Sequence, residues 1–195
     1  MKYISLFLKK ICGLFTVQKI KIATCVYLLD GDYVQMAQQK GKLVGFLGYG
    51  GKVKKGQTIR GNAIEELWEE TGGKVELRIN PEEEGGIFSK EDFLIPVGKI
   101  DFYNGENVPK NKPSFRVYFF VCKRYEGRAV DTVEMVDHQL FNRRNLPLES
   151  LVKGDELFIP KLLNDQPLVG SVRRSSDWEV ISNDLRPATP EDLDF

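Results

Sequence analysis

Glu66, Glu69 and Glu70 stand at i, i+3 and i+4 within the stretch 50–73, GGKVKKGQTIRGNAIEELWEETGG. On a helix that starts near Thr58 this spacing puts all three carboxylates on one face. Ala63, Ile64, Leu67 and Trp68 then fall on the opposite arc, the stripe expected to lie on a core. Glu65 borders the acidic face, so like charges meet at 65/69 and 66/70, each pair costing roughly 0.2–0.5 kcal/mol on an isolated helix. Glu69 and Glu70 also sit at the negative end of the helix dipole, just before the Gly72-Gly73 stop. Folding alone rewards none of this. A hard divalent cation does, because carboxylates and a backbone carbonyl are the oxygen ligands that Mg2+ takes. An acidic run taken alone is usually a solvated helix face, but here Gly48, Gly50 and Gly51 precede it, and they let the backbone approach an ion or a phosphate closely.

The elements that must position this helix are β-rich. Lys19 to Leu29 (KIKIATCVYLL) reads as a strand entering a core, Asp30-Gly31-Asp32 as a hairpin turn, and DYVQMAQQ as the partner strand. A Gly-studded loop over 40–51 delivers the chain to the helix. Val75 to Ile79 is a short strand, RINPEEEGGIFSKEDF a polar insertion, and Phe93 to Tyr103 and Ser114 to Lys123 are two further strands. A short strand is expected near Gln139–Phe141. LESLVKGDELFIPKLLND (148–165) reads as a second helix, LVGSVRRSSDWEVIS as a hairpin, and PATPEDLDF as a loose acidic tail. Strands and helices mixed without strict alternation predict an α/β fold, a mixed sheet with helices on both faces.

The 195 residues suit one domain with elaborations: an N-terminal extension over 1–16, the main domain over 17–186 and the tail over 187–195. Lys and Arg balance Asp and Glu at 28 each, so no global field recruits DNA or a membrane. Ile4, Phe7, Leu8, Ile11, Leu14 and Phe15 are spaced as the apolar stripe of an amphipathic helix. That helix is read as docked on the domain or on a second subunit, the alternative being peripheral contact of residues 1–15 with an anionic membrane. Cys12, Cys25 and Cys122 are odd in number and widely spaced, which argues for a reducing, cytoplasmic compartment. His138 has no obvious partner and is read as a packing or surface residue, so a Ser/His or Cys/His nucleophile has little support.

The stretch 51–73 resembles the Nudix box, G-x5-E-x7-R-E-U-x-E-E-x-G-U. Gly51, Glu66, Leu67, Glu69, Glu70 and Gly72 match, while Gln57 stands for Glu, Glu65 for Arg and Gly73 for the last apolar residue. Beyond the box, GYGGKV (48–53), VGKIDF (97–102), VEM (133–135), FIPKLL (158–163) and VGSVRRSSDWEVIS follow the order of segments in MutT and 8-oxo-dGTP diphosphatase-like members. The resemblance implies an α/β/α sandwich with the box as its loop-helix-loop.

It also implies a Mg2+-dependent hydrolase, Mn2+ being an alternative, that cleaves a nucleoside diphosphate linked to X. A nucleoside triphosphate, oxidised or not, would give monophosphate and pyrophosphate. ADP-ribose, a dinucleoside polyphosphate or a capped RNA end is the alternative substrate, and a nucleotide-binding regulator with weakened turnover the alternative class. The implied metal ligands are Gly50, Glu66, Glu69, Glu70 and Glu134, with Glu69 or Glu134 as general base. Substrate contacts are expected at Phe46, Leu47, Tyr49, Lys52 and Asp155, with Phe102 split between stacking and core. Leu47 stands where the similar enzymes use an asparagine to bond their purine, and Asp155 remains of an acidic pair, so base discrimination is expected to differ. A Gln57–Glu65 hydrogen bond is expected in place of the box Glu–Arg pair, with Arg60 as surrogate cation. Arg116, Lys123, Arg143, Arg144, Arg173 and Arg174 are the scattered cations on which an RNA reading depends.

Overall fold

The computed structural model describes residues 20–41, 44–77, 93–105, 108–109 and 111–195. The N-terminal amphipathic helix with its membrane alternative, Cys12, and the insertion from Arg78 to Asp92 lie outside these residues. In chain order the elements are β1 (Lys21–Asp30), β2 (Tyr33–Gln39), β3 (Phe46–Leu47), α1 (Ile59–Glu70), β4 (Val75–Leu77), β5 (Leu94–Asn104), β6 (Phe115–Cys122), β7 (Tyr125–Gly127), β8 (Met135–Asn142), α2 (Ile159–Leu163), β9 (Leu168–Arg174) and β10 (Val180–Pro187).

The main sheet runs β10-β9-β5-β6-β1-β2-β3, with β8 also paired to β2. β1 pairs with β6, and β5 with β9, in parallel, while the other ladders are antiparallel. The expected hairpin forms: Asp30 faces Tyr33 across a two-residue turn in which Gly31 has φ +57°, a left-handed value that glycine takes without a Cβ clash.

Alternation along β1 splits the core between the sheet's two faces. Tyr27 and Leu29 pack with Phe102, Phe119, Phe158, Ile159 and Leu162, whereas Val26 and Leu28 pack with Ala63, Leu67, Tyr118 and Phe120. α1 and α2 therefore cover opposite faces of a mixed sheet, as expected of an α/β/α sandwich. Each large side chain buried in this way contributes about 1.5–3 kcal/mol.

Four local expectations need correction. The second helix shrinks to the five residues of α2, preceded by 3-10 turns at Leu148–Ser150 and Asp155–Leu157. Leu151 is taken by a bridge to Phe46, and Gly154 turns the chain at φ +88°, so no helix can run through them. The tail is docked rather than loose. Thr189 and Asp192 form a capping box, the Lys99 ammonium donates to the Asp192 carbonyl at 2.9 Å, and the Phe195 ring sits on Tyr118 and Phe120. The strand expected near 139–141 extends over Met135–Asn142, since β2 offers it a full edge. β7 was not anticipated; it pairs with β4 in a separate two-stranded sheet. The hairpin of β9 and β10 forms where it was read.

Candidate functional site

α1 begins where the sequence places it. The Thr58 side chain accepts the Gly61 N–H at 2.9 Å as N-cap, and Gly72 and Gly73, at φ +71° and +65°, end the helix. Its buried face is less apolar than the wheel suggests. Ala63 and Leu67 are buried, Ile64 is half-buried and Trp68 is 44% exposed, while Asn62 and Glu70 take buried positions. The reason lies in what faces them. Thr24 of β1 donates its hydroxyl to Asn62 Oδ1 at 2.8 Å, and the Gly50 N–H donates to Glu70 Oε2 at 2.6 Å. These bonds tie the loop before the helix to both the helix and the sheet. Gly50 is required there, since a Cβ would lie 1.9 Å from the Thr24 carbonyl oxygen, whereas a Cβ at Gly51 would displace the Glu66 carboxylate, whose Oε2 it would approach to 2.3 Å.

One cavity of about 750 Å3 gathers most of the expected site residues, a size typical of small-ligand sites. Its acidic end is lined by Glu66, Glu69, Glu70 and Glu134 together with Gly50, Gly51, Lys52 and Lys54. Glu69 and Glu134 are exposed, Glu66 is half-buried and Glu70 is 6% exposed. Burial lifts the Glu66 carboxyl above its ordinary value; Lys54 opposes that rise and Glu69 adds to it. The oxygen donors suit a hard divalent cation in kind and share one wall. As they stand, however, no group of three acidic, cysteine or histidine side chains among the described residues converges on a single metal position. Glu70 is turned to the Gly50 N–H and Glu66 to Asn62 Nδ2, at 3.3 Å.

The other end is aromatic, with Phe102, Phe115, Phe119 and Trp178 around Asp155, Arg174 and Asn104. Arg174 Nη2 donates to Asp155 Oδ1 at 2.6 Å, the two side chains 4% and 15% exposed. The guanidinium also lies 5.0 Å from the Phe102 ring centre and 5.4 Å from that of Trp178. Burial pushes the Asp155 carboxyl up to about 6 against the downward pull of Arg174. Leu47, at the end of β3, also lines the cavity.

Phe46 and Tyr49 do not line this cavity. Phe46 is buried against Phe141, with ring centres 4.8 Å apart. Tyr49 is fully buried, and its hydroxyl shares a 2.9 Å hydrogen bond with His138 Nδ1. His138 thus has a partner the sequence did not suggest; its side chain is 6% exposed, and burial holds the imidazole below its ordinary pKa. Tyr49→Phe is expected to lower stability by about 1 kcal/mol, the worth of one such bond, with KM unchanged. Chemical denaturation beside steady-state kinetics checks this, and a raised KM would return Tyr49 to the ligand.

The Gln57–Glu65 hydrogen bond is present, Gln57 Nε2 to Glu65 Oε2 at 2.5 Å. Arg60 is not the surrogate cation. It donates to the carbonyls of Leu94 and Phe195 and lies over the Phe120 ring, and the cation beside Glu65 is Lys54, at 3.3 Å. Asn62, Lys54, Arg174 and Trp178 are the site residues that sequence reasoning missed or left unplaced; for Arg174, the alternation along β9 was a usable signal. The six cations of the RNA reading are held within the chain. Arg116 pairs with Asp101, Lys123 with Asp165, Arg143 with the Leu163 carbonyl and Asp165, Arg144 with Asp32, Arg173 with the Val108 carbonyl and Arg174 with Asp155.

The family model of the NUDIX domain matches residues 19–162. Among characterised proteins, the oxidized purine nucleoside triphosphate hydrolase of Mus musculus is 27% identical over 139 residues, covering 71% of this chain and 76% of that protein. A mutator MutT protein from Bacillus halodurans superposes with a TM-score of 0.68 at 20% identity, over 87% of this chain and 100% of that one. An ADP-ribose pyrophosphatase from Streptococcus suis does so with a TM-score of 0.50 at 20% identity, over 75% and 91%. At these identities the structures speak to the fold alone, while the family model spans well over half of the chain. The chain belongs to the Nudix family, as a Nudix pyrophosphohydrolase.

Proposed function

We propose that the protein hydrolyses a nucleoside triphosphate, oxidised or not, to the monophosphate and pyrophosphate. The observation that carries this reading is one cavity that is acidic and glycine-lined at one end and aromatic around the Asp155–Arg174 pair at the other. That polarity matches a ligand with a polyphosphate at one end and a flat, hydrogen-bonding base at the other.

Glu66, Glu69, Glu70, Glu134 and the Gly50 carbonyl would hold the divalent metal that this family generally uses, Mg2+ by preference and Mn2+ as substitute. When bound, the cation neutralises phosphate oxygens and acidifies water. Glu69 or Glu134, both exposed and both lining the cavity, would serve as general base toward the attacking water. Lys52 lines the same cavity and would contact phosphate. Leu47 offers a base only apolar contact, so hydrogen-bond selection falls to Asp155, Arg174 and Asn104.

The test offers purified protein with Mg2+ a panel of oxidised and unmodified nucleoside triphosphates, ADP-ribose, dinucleoside polyphosphates and capped RNA, with products separated by ion exchange. Monophosphate plus pyrophosphate from a triphosphate is the expected result. Preferential cleavage of a dinucleotide or cap moves the activity to the alternative substrates. Binding without turnover across the panel at high enzyme concentration leaves a nucleotide-binding regulator.

A further inference from the structure

The acidic face of α1 lacks a cation of its own. Its one base, Arg60, donates to the carbonyls of Leu94 and Phe195, yet Glu65, Glu66 and Glu69 crowd together beside the cavity. The positive charge comes instead from the preceding loop. Lys54 Nζ lies 3.3 Å from Glu65 Oε1 and 4.0 Å from Glu66 Oε1, while its backbone N–H donates to Gln57 Oε1 at 2.7 Å. Since Gln57 Nε2 donates to the second oxygen of Glu65, the loop grips that carboxylate by both oxygens.

The grip continues inward. Asn62, fully buried, turns its Nδ2 to Gln57 Oε1 at 3.2 Å, to the Lys52 carbonyl at 3.2 Å and to Glu66 Oε1 at 3.3 Å, with Oδ1 fixed by Thr24. Glu66 is thereby held by Asn62 and Lys54, and its carboxylate occupies the space that a Cβ at Gly51 would take.

We infer that Lys54 is a positioning residue for the cation-side carboxylates: from the loop it supplies the charge that the Nudix box carries at position 65 on the helix, and through Glu65 and Glu66 it fixes where Glu66 points. This rests on the assignment of Glu66 to the cation side of the cavity. Stability is not what Lys54 provides. Its side chain is 58% exposed, and exposed ion pairs contribute little to folding. What a supporting residue of this kind controls is ligand geometry, where its loss costs about 10- to 100-fold in metal affinity or activity.

Two roles predict opposite signs. If Lys54 were only a nearby positive charge, removing it would tighten binding of a divalent cation. If it positions Glu66, removing it loosens binding. The experiment therefore titrates Mn2+ alone, by electron paramagnetic resonance, into wild type, Lys54→Met, Lys54→Arg, the Gln57→Glu/Glu65→Arg double variant and that double variant carrying Lys54→Met. Melting temperatures without metal and kcat and KM on the best panel substrate accompany the titrations.

Lys54→Met is expected to weaken Mn2+ binding about tenfold and to lower kcat more than it raises KM, with a melting shift of no more than about 4 °C. Lys54→Arg should recover most of the loss. In the double variant, which rebuilds the box pair across loop and helix, Lys54→Met should change Mn2+ affinity less than about twofold. Unchanged or tighter Mn2+ binding by Lys54→Met overturns the inference, as does an equal loss in the double variant. A rise in KM alone overturns it in favour of direct phosphate contact. Wild-type protein that binds no Mn2+ overturns the cation-side reading, and this inference with it.

Discussion

Replacing Glu70 by glutamine is expected to lower kcat by at least about 100-fold while the protein stays folded. Glu70 is the most buried carboxylate of α1, and its Oε2 receives the Gly50 N–H at 2.6 Å. A glutamine keeps an oxygen for that N–H, so the loop retains its anchor at the cost of a charge-assisted bond, about 1 kcal/mol. The negative charge offered to a cation is lost. Turnover of the best panel substrate, read beside the melting curve, separates the two effects. Wild-type kcat in a folded Glu70→Gln protein would remove Glu70 from the metal face, whereas loss of activity through unfolding would show as a collapsed melting transition.

At the far end of the cavity, Arg174→Leu is expected to destabilise the protein by about 1–2 kcal/mol at pH 7, because it leaves Asp155 without its partner and forces it to protonate. The cost must depend on pH. The folded-state pKa of Asp155, about 6, lies above its ordinary value, so the stability it contributes is complete below about pH 4 and is lost as pH rises through about 6. Removing Arg174 raises the folded value further and extends the loss to higher pH. Arg174→Leu should therefore lie closer to wild type at pH 5 than at pH 7. Asp155→Asn with Arg174→Leu should recover part of the loss at pH 7, since no uncompensated charge remains. Urea unfolding of wild type, Arg174→Leu, Asp155→Asn and the double variant at both pH values completes the cycle. An Arg174→Leu deficit that is the same at pH 5 and pH 7 would show that burial of Asp155 is not its source.

What the sequence made legible was local or periodic. Thr58 as N-cap, the Gly72-Gly73 stop, the Gly31 hairpin and the strand runs each follow from residue chemistry within a few positions, and the structure has them. The spacing of Glu66, Glu69 and Glu70 likewise placed them at one cavity. The misreadings were tertiary. A wheel cannot show that Asn62 faces Thr24 rather than solvent, so the buried side of α1 was assigned to Trp68. Nothing near Tyr49 announces His138, which lies 89 residues away. Arg60 and Lys54 are both basic neighbours of the box. Which of them reaches Glu65 is decided by Arg60 turning to the carbonyls of Leu94 and Phe195, residues distant in sequence. The helix expected over 148–165 failed for the same reason, since the bridge from Leu151 to Phe46 competes with it.

β1 gives the cavity a mechanical property. Thr24 fastens Asn62 behind the acidic end, while the next residues along, Cys25 and Tyr27, line the cavity from the opposite face of the sheet. The strand that carries them is held on one side by its parallel register with β6, from Lys21 to Leu28, and on the other by bridges from Ala23 to Lys52 and from Val26 to Tyr49, with the β2 hairpin pairing Leu28 to Asp30. The two ends of the cavity therefore share one stiff wall and have no hinge between them. Any adjustment to an incoming ligand falls to the rim, to the loops around Lys54, Glu134 and Trp178, so the enzyme should admit its substrate by moving side chains and loops rather than by closing like a clam.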